Sequence, residues 1–141
     1  MKNVRWTALA VLAGMLAGIG LISADALAQK TKGKTRPALT KQIMKGLVNP
    51  NCGDLKKLLD ADSPNWDDIA LKAAVLNEAG YILMDDNRCP DGEWAKATKA
   101  VREGTAEVLA AAENKNAGEA KKGFAKLTGE GCKVCHTAHR K

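Results

Sequence analysis

The residues of this chain best placed to do chemistry lie at its end, in the run Cys132-Lys133-Val134-Cys135-His136-Thr137-Ala138-His139-Arg140-Lys141. Two cysteines separated by two residues and followed at once by a histidine form the attachment signal for c-type haem. The spacing has a physical reason. Two thiols must reach the two vinyl groups on one porphyrin edge, while the next side chain presents an imidazole nitrogen to the iron. Cys132 and Cys135 are therefore the expected thioether anchors of one haem c, and His136 its expected proximal ligand.

Other chemistries of the same residues fit less well. A thioredoxin-like pair needs its Cys-x-x-Cys at a helix N-terminus beside a βαβ pattern, and the run before Cys132 is helical in pattern, with no strand-like segment. Zinc held by Cys132, Cys135, His136 and His139 would need four ligands from one short helical stretch to surround a tetrahedral ion. A structural disulfide inside the motif is the weakest of these.

Stepping outward, residues 1–28 have the form of an export leader. Lys2 and Arg5 give a positive start, Trp6 to Ile22 is apolar, and Ala26-Leu27-Ala28 has the small-x-small pattern of a signal peptidase site. The expected mature chain begins at Gln29, with no membrane span left after cleavage and a periplasmic location. Residues 29–36 are polar and basic and read as a flexible arm. Residues 37–141 remain as one small domain. The whole chain has 22 Lys and Arg against 16 Asp and Glu, which favours acidic partners but is also an ordinary device for solubility. The arm has no aromatic residue and the domain no reader motif, so nucleic acid is not an expected partner.

The domain reads as helices that must position the motif. Pro37 suits a first helical turn, and Leu39, Ile43, Met44, Leu47 and Val48 form one apolar stripe. Asn49-Pro50 interrupts it before Leu55, Leu58 and Leu59, which predicts either two helices or one kinked helix. Ser63 is a candidate N-cap with Pro64 at the first helical position. A second helix then carries Trp66, Ile69, Ala73, Leu76, Gly80 and Leu83 as a bundle-forming seam. Residues 85–92 are turn chemistry, after which Trp94, Ala97, Val101, Gly104, Val108 and Ala111 mark a third helix. Asn116 with Glu119 resembles a capping box, and Phe124, Leu127, Gly131, Val134 and Ala138 mark a fourth. Four such segments with short loops bury their stripes most simply as an all-α, antiparallel four-helix bundle, with the haem near the end of the last helix. The seams are rich in alanine and glycine, which leaves room for a large group to complete the core.

A Cys-x-x-Cys-His near the end of the final helix of a four-helix chain resembles the class II c-type cytochromes, that is, the cytochrome c' family and its low-spin relatives. The resemblance covers residues 37–141, with its specific motif confined to 132–140. In that family an aromatic and then an arginine follow the motif near the proximal haem face. Arg140 matches the arginine, whereas His139 stands at the aromatic position and is expected to pack as a surface or haem-edge residue. The resemblance also poses the sixth-ligand question. Low-spin members use a methionine of the first helix, for which Met44 is the candidate and Met84 the reserve; five-coordinate members have an apolar residue there and bind small diatomics. Some relatives form homodimers through their first two helices, so the Trp66 seam could face a second subunit.

Cys52 and Cys89 are expected to pair as a disulfide, since export permits one and their number is even, which would require the first helix to end early and the next segment to turn back; free buried thiols are the alternative. Two function classes follow. With Met44 and His136 both on the iron, the protein is a one-electron carrier and not an enzyme. Lys121, Lys122, Lys126, Lys133 and Lys141 would then steer a redox partner with an acidic docking face. With an open distal site, it would bind nitric oxide or carbon monoxide as a sensor or scavenger. No acid/base arrangement of carboxylates and no distal histidine and arginine pair points to catalysis.

Overall fold

The computed structural model describes residues 32–140. The expected leader with its cleavage site, residues 29–31 of the arm and Lys141 lie outside the described residues. The fold is all-α, with four helical runs and, among the described residues, no strand beyond an isolated bridge between Lys32 and Leu39. Helix α1 runs without a break through Thr40–Ile43, Met44–Val48 and Asn49–Leu59, α2 spans Trp66–Ile82, and α3 spans Gly92–Glu113. Helix α4 runs through Ala117–Lys126, Leu127–Lys133 and Val134–His139. Together they form a helical bundle. Among the described residues no helix is long and apolar enough to cross a membrane.

The Asn49-Pro50 interruption resolves as one continuous helix. Met44–Val48 is a π-helical turn in which the Asn49 N–H reaches back to the Met44 carbonyl. A proline in a helix interior lacks an N–H, and its ring collides with the carbonyl four residues back. Widening the turn just upstream of Pro50 moves that carbonyl aside. Helix α1 also starts later than Pro37 suggests. Its first turn is Thr40–Ile43, and the Leu39 N–H is taken by Gln42 Oε1 at 2.8 Å.

The expected cap of α2 at Ser63 is displaced to Asn65. The Asn65 side chain accepts from the Asp68 N–H at 3.2 Å and donates to Asp68 Oδ2 at 2.8 Å, which leaves Pro64 outside the helix. The seam itself holds: Ile69, Ala73, Leu76, Gly80 and Leu83 are buried and Trp66 is half-buried. Its buried residues pack into the chain's own core. Asn77 ties α2 to α3, donating to the Arg102 carbonyl at 2.8 Å and to Thr105 Oγ1 at 2.9 Å.

Helix α3 is the central element, packed against both α2 and α4. Its approach to α4 is close enough to need glycines. A Cβ on Gly104 would lie 2.6 Å from the Leu127 backbone nitrogen, and one on Gly123 would lie 2.8 Å from the Gly104 carbonyl oxygen. Asn116 caps α4 by accepting from the Glu119 N–H at 3.1 Å, while Glu119 turns to Lys122 and does not complete the box. Beyond Gly123 the buried positions are Leu127, Gly131, Cys135 and His139. The expected stripe through Val134 and Ala138 is thus shifted by one residue. The cause is the second π turn, Leu127–Lys133, which takes up an extra residue and rotates the rest of the helix.

The expected flexible arm is docked in its described part. Asp86 Oδ1 accepts from the Thr35 N–H at 2.8 Å and from its hydroxyl at 3.1 Å, and Asp86 Oδ2 accepts from the Arg36 N–H at 2.9 Å. Residues 32–36 therefore lie against the α2–α3 turn as a strap. Asp86 and Asn87 hold this turn with φ of 60° and 63°, a left-handed conformation that asparagine and aspartate tolerate better than other non-glycine residues.

Candidate functional site

The rotated end of α4 delivers the motif to a two-lobed cavity between α1 and the rest of the bundle. The inner lobe, about 170 Å³, has walls from all four helices and includes Met44, Cys52, Cys132, Cys135 and His136. Its far wall is small or aliphatic, with Ala79 and Leu83 on α2 and Ala97 and Val101 on α3. The outer lobe, about 250 Å³, shares Met44, Asn49, Cys135 and His136 with the first and adds Lys41, Lys45, Trp94, His139 and Arg140.

Each site residue expected from the sequence lies on this cavity. Cys132 lines the inner lobe, Cys135 and His136 line both, and Arg140 lies at the outer one. Met44 projects from the π turn of α1 and lines both lobes, opposite the motif across the same space. Met84 lines neither lobe and packs at the edge of an apolar cluster formed by Ile43, Leu83, Trp94, Ala97 and Cys135. Of the two methionines, only Met44 shares a cavity with His136.

The surroundings set the protonation of these groups. Burial, followed by the Arg140 charge, holds His136 below the usual imidazole range, so the neutral ring with a free lone pair is favoured. Burial, with a smaller contribution from the Asp91 charge, pushes the Cys135 thiol up to about 11. Cys132 is also pushed up, first by its hydrogen bond with Cys52 and then by burial, while that bond brings Cys52 down to about 7. Both motif sulfurs are thus held as thiols at neutral pH.

His139 is not a surface residue. It is 7% exposed, its ring meets Trp94 edge-on with centroids 5.3 Å apart, and its Nε2 lies 3.4 Å from Asp91 Oδ1. Asp91 also caps α3 by accepting from the Trp94 N–H at 2.9 Å, and Trp94 Nε1 donates to the Leu83 carbonyl at 2.7 Å. A histidine at this aromatic position therefore ties the end of α4 to the start of α3. Among the described residues, no three His, Cys, Asp or Glu side chains converge as a group that could hold a metal ion.

The expected Cys52–Cys89 bridge is absent. Cys52 faces Cys132, and the Cys89 thiol donates to the Asp91 carbonyl at 3.3 Å. The continuous path of α1 past Pro50 explains this, because it carries Cys52 along the bundle without turning it back to the α2–α3 loop. Sequence reasoning also missed Lys41, Lys45 and Asn49. Their signal was the four-residue spacing of Lys41, Lys45 and Asn49 around Met44, which resembles any solvated helix face until the facing element is known. The lysines expected to steer partners are partly engaged elsewhere. Lys122 pairs with Glu119 at 2.7 Å, and Lys126 bridges to Glu107 at 2.7 Å and Glu103 at 3.3 Å.

Comparison of the chain with known protein families, with curated proteins and with solved structures found no match.

Proposed function

We propose that the protein is an exported, periplasmic monohaem c-type cytochrome of the class II kind, an antiparallel four-helix bundle that carries single electrons. The observation that supports this most is the convergence of Cys132, Cys135, His136 and Met44 on one cavity, from helices distant in sequence. The register of α3 against α4 supports the antiparallel arrangement, since Gly104 meets Gly123 and Leu127 while Val101, earlier in α3, meets Gly131, later in α4.

The residues present fit the group. Cys132 and Cys135 offer two thiols on one wall for thioether formation, and His136 offers a neutral imidazole nitrogen. Met44 offers a soft, uncharged thioether from the opposite wall, whose ligation of iron raises its potential relative to harder ligands. The small side chains of Ala79, Ala97 and Gly131 make room for a flat macrocycle inside a helical core. Lys41, Lys45 and Arg140 at the outer lobe supply positive charge where carboxylate substituents would emerge. Haem, when bound, would supply a one-electron iron couple; His136 and Met44 would both hold its iron, which suits electron transfer over substrate binding.

The partner is a redox protein with an acidic docking face, steered by the exposed Lys121 and Lys133 of α4, whereas Lys122 and Lys126 pair with Glu119, Glu103 and Glu107.

The test is the mass and haem content of the exported chain made in a host that attaches c-type haem. The expected result is one covalently bound haem per chain, retained on denaturation and lost in a Cys132→Ala, Cys135→Ala double variant. A mature chain recovered from the periplasm without covalent haem would overturn the proposal.

A further inference from the structure

Cys52 has no part in the function proposed above, yet its thiol is placed where that function is most easily blocked. It lies on α1 one turn beyond Val48 and lines the inner lobe together with Cys132 and Cys135. Cys52 and Cys132 are both half-buried, line the same small cavity from facing helices and pack against the same apolar cluster, and each thiol perturbs the other's titration. They belong to helices joined only through the whole length of α2 and α3, so the contact is a product of the fold. Cys135 belongs to the second apolar cluster, and its smaller effect on Cys132 is one of charge alone.

We infer that Cys52 and Cys132 form a cross-helix disulfide in the haem-free chain, and that this bond competes with haem attachment for the Cys132 sulfur. The step balances as a thiol–disulfide exchange with an external disulfide oxidant. One thiolate attacks the oxidant, forming a mixed disulfide and expelling one thiol. The other thiolate then attacks the protein sulfur of that mixed disulfide and expels the second thiol. Two protein thiols are oxidised, one oxidant disulfide is reduced, and the two protons end on the released thiols. A sulfur held in a disulfide cannot add to a vinyl group. Haem loading therefore requires either that attachment precedes oxidation or that a dithiol reductant reopens the bond. Closing so long a loop also constrains the unfolded chain and stabilises the empty bundle.

The disulfide itself does not rest on the haem proposal, whereas its competition with attachment does, and two measurements separate them. The full chain purified without haem and fully reduced is exposed to oxidised glutathione, alkylated, digested and mapped by mass spectrometry. A dominant Cys52–Cys132 peptide pair is expected. Dominance of Cys132–Cys135 or Cys52–Cys89, or persistence of free thiols at both Cys52 and Cys132, overturns the inference. In the second measurement the parent and Cys52→Ser are co-expressed with a haem-attachment system in a host lacking periplasmic dithiol reductant. Several-fold more haem per chain is expected for Cys52→Ser, and equal loading overturns the competition. Absence of haem from both chains, with reductant restored, would overturn the haem proposal and leave the disulfide map standing.

Discussion

Gly104→Ala isolates the packing that holds α4, and with it the haem motif, against α3. In a helix interior with ordinary negative φ, replacing glycine by alanine gains ~1 kcal/mol of helix propensity. That gain is expected in full at Gly53, where a new Cβ meets nothing within 4 Å. At Gly104 the same methyl would sit 2.6 Å from the Leu127 nitrogen and 2.7 Å from the Gly123 carbonyl oxygen. Both are backbone atoms of a packed helix, so relief requires α4 to move by several tenths of an ångström, not a side chain to change rotamer. Overpacking of this kind costs ~1–3 kcal/mol. Set against the propensity gain, the net expectation is a loss of up to about 2 kcal/mol at Gly104 and a gain of up to ~1 kcal/mol at Gly53. Urea unfolding followed by circular dichroism at 222 nm reads both. If Gly104→Ala were stabilised as Gly53→Ala is, the close α3–α4 approach would be refuted.

Further outcomes follow from other contacts. Trp94→Phe removes the buried donor to the Leu83 carbonyl and shrinks the surface against His139; a loss of ~1–3 kcal/mol in urea unfolding is expected, and an unchanged midpoint would contradict that geometry. Asp86→Ala releases the strap at Thr35 and Arg36, so trypsin should cut after Lys34 faster than in the parent while the helical signal stays unchanged. Glu103 is held below its ordinary value by Lys99 and then Lys126. A carboxylate with a depressed folded pKa contributes stability above its unfolded value, near 4.5 here, and loses it as pH falls through the folded value. The parent should therefore lose stability more steeply than Glu103→Gln on acidification below that point, and parallel acid titrations would rule the linkage out.

Helices α2 and α3 were legible because straight α-helices keep a three-four spacing, and their seams from Ile69 to Leu83 and from Trp94 to Ala111 are buried as that spacing requires. Helices α1 and α4 were less so because each contains a π turn, whose wider pitch no regular period captures. In α4 the turn moved burial from Val134 and Ala138 to Cys135 and His139, and in α1 it let the chain run through Pro50. That same continuity separated Cys52 from Cys89, whose pairing was expected from export and an even cysteine count alone. The strap was misread because a basic, glycine-containing segment shows nothing of the carboxylate that receives its N–H groups, and Asp86 lies 51 residues further on from Thr35. The motif residues and Met44 were legible by type, since thiols, imidazole and thioether are the donors such a site needs. Lys41, Lys45 and the Cys52 contact were not, because each acquires meaning only from the element facing it.

The most direct test of the account is the optical spectrum of the exported protein, ferric and ferrous, with and without carbon monoxide, for the parent and Met44→Ala. Ligation by His136 and Met44 predicts a low-spin ferric spectrum with the weak long-wavelength methionine-to-iron band. That band should vanish in Met44→Ala, and the ferrous parent should not respond to carbon monoxide. A high-spin parent that binds carbon monoxide as readily as Met44→Ala would contradict electron carriage through a six-coordinate iron, return Met44 to the core, and make gas binding the function of the cavity.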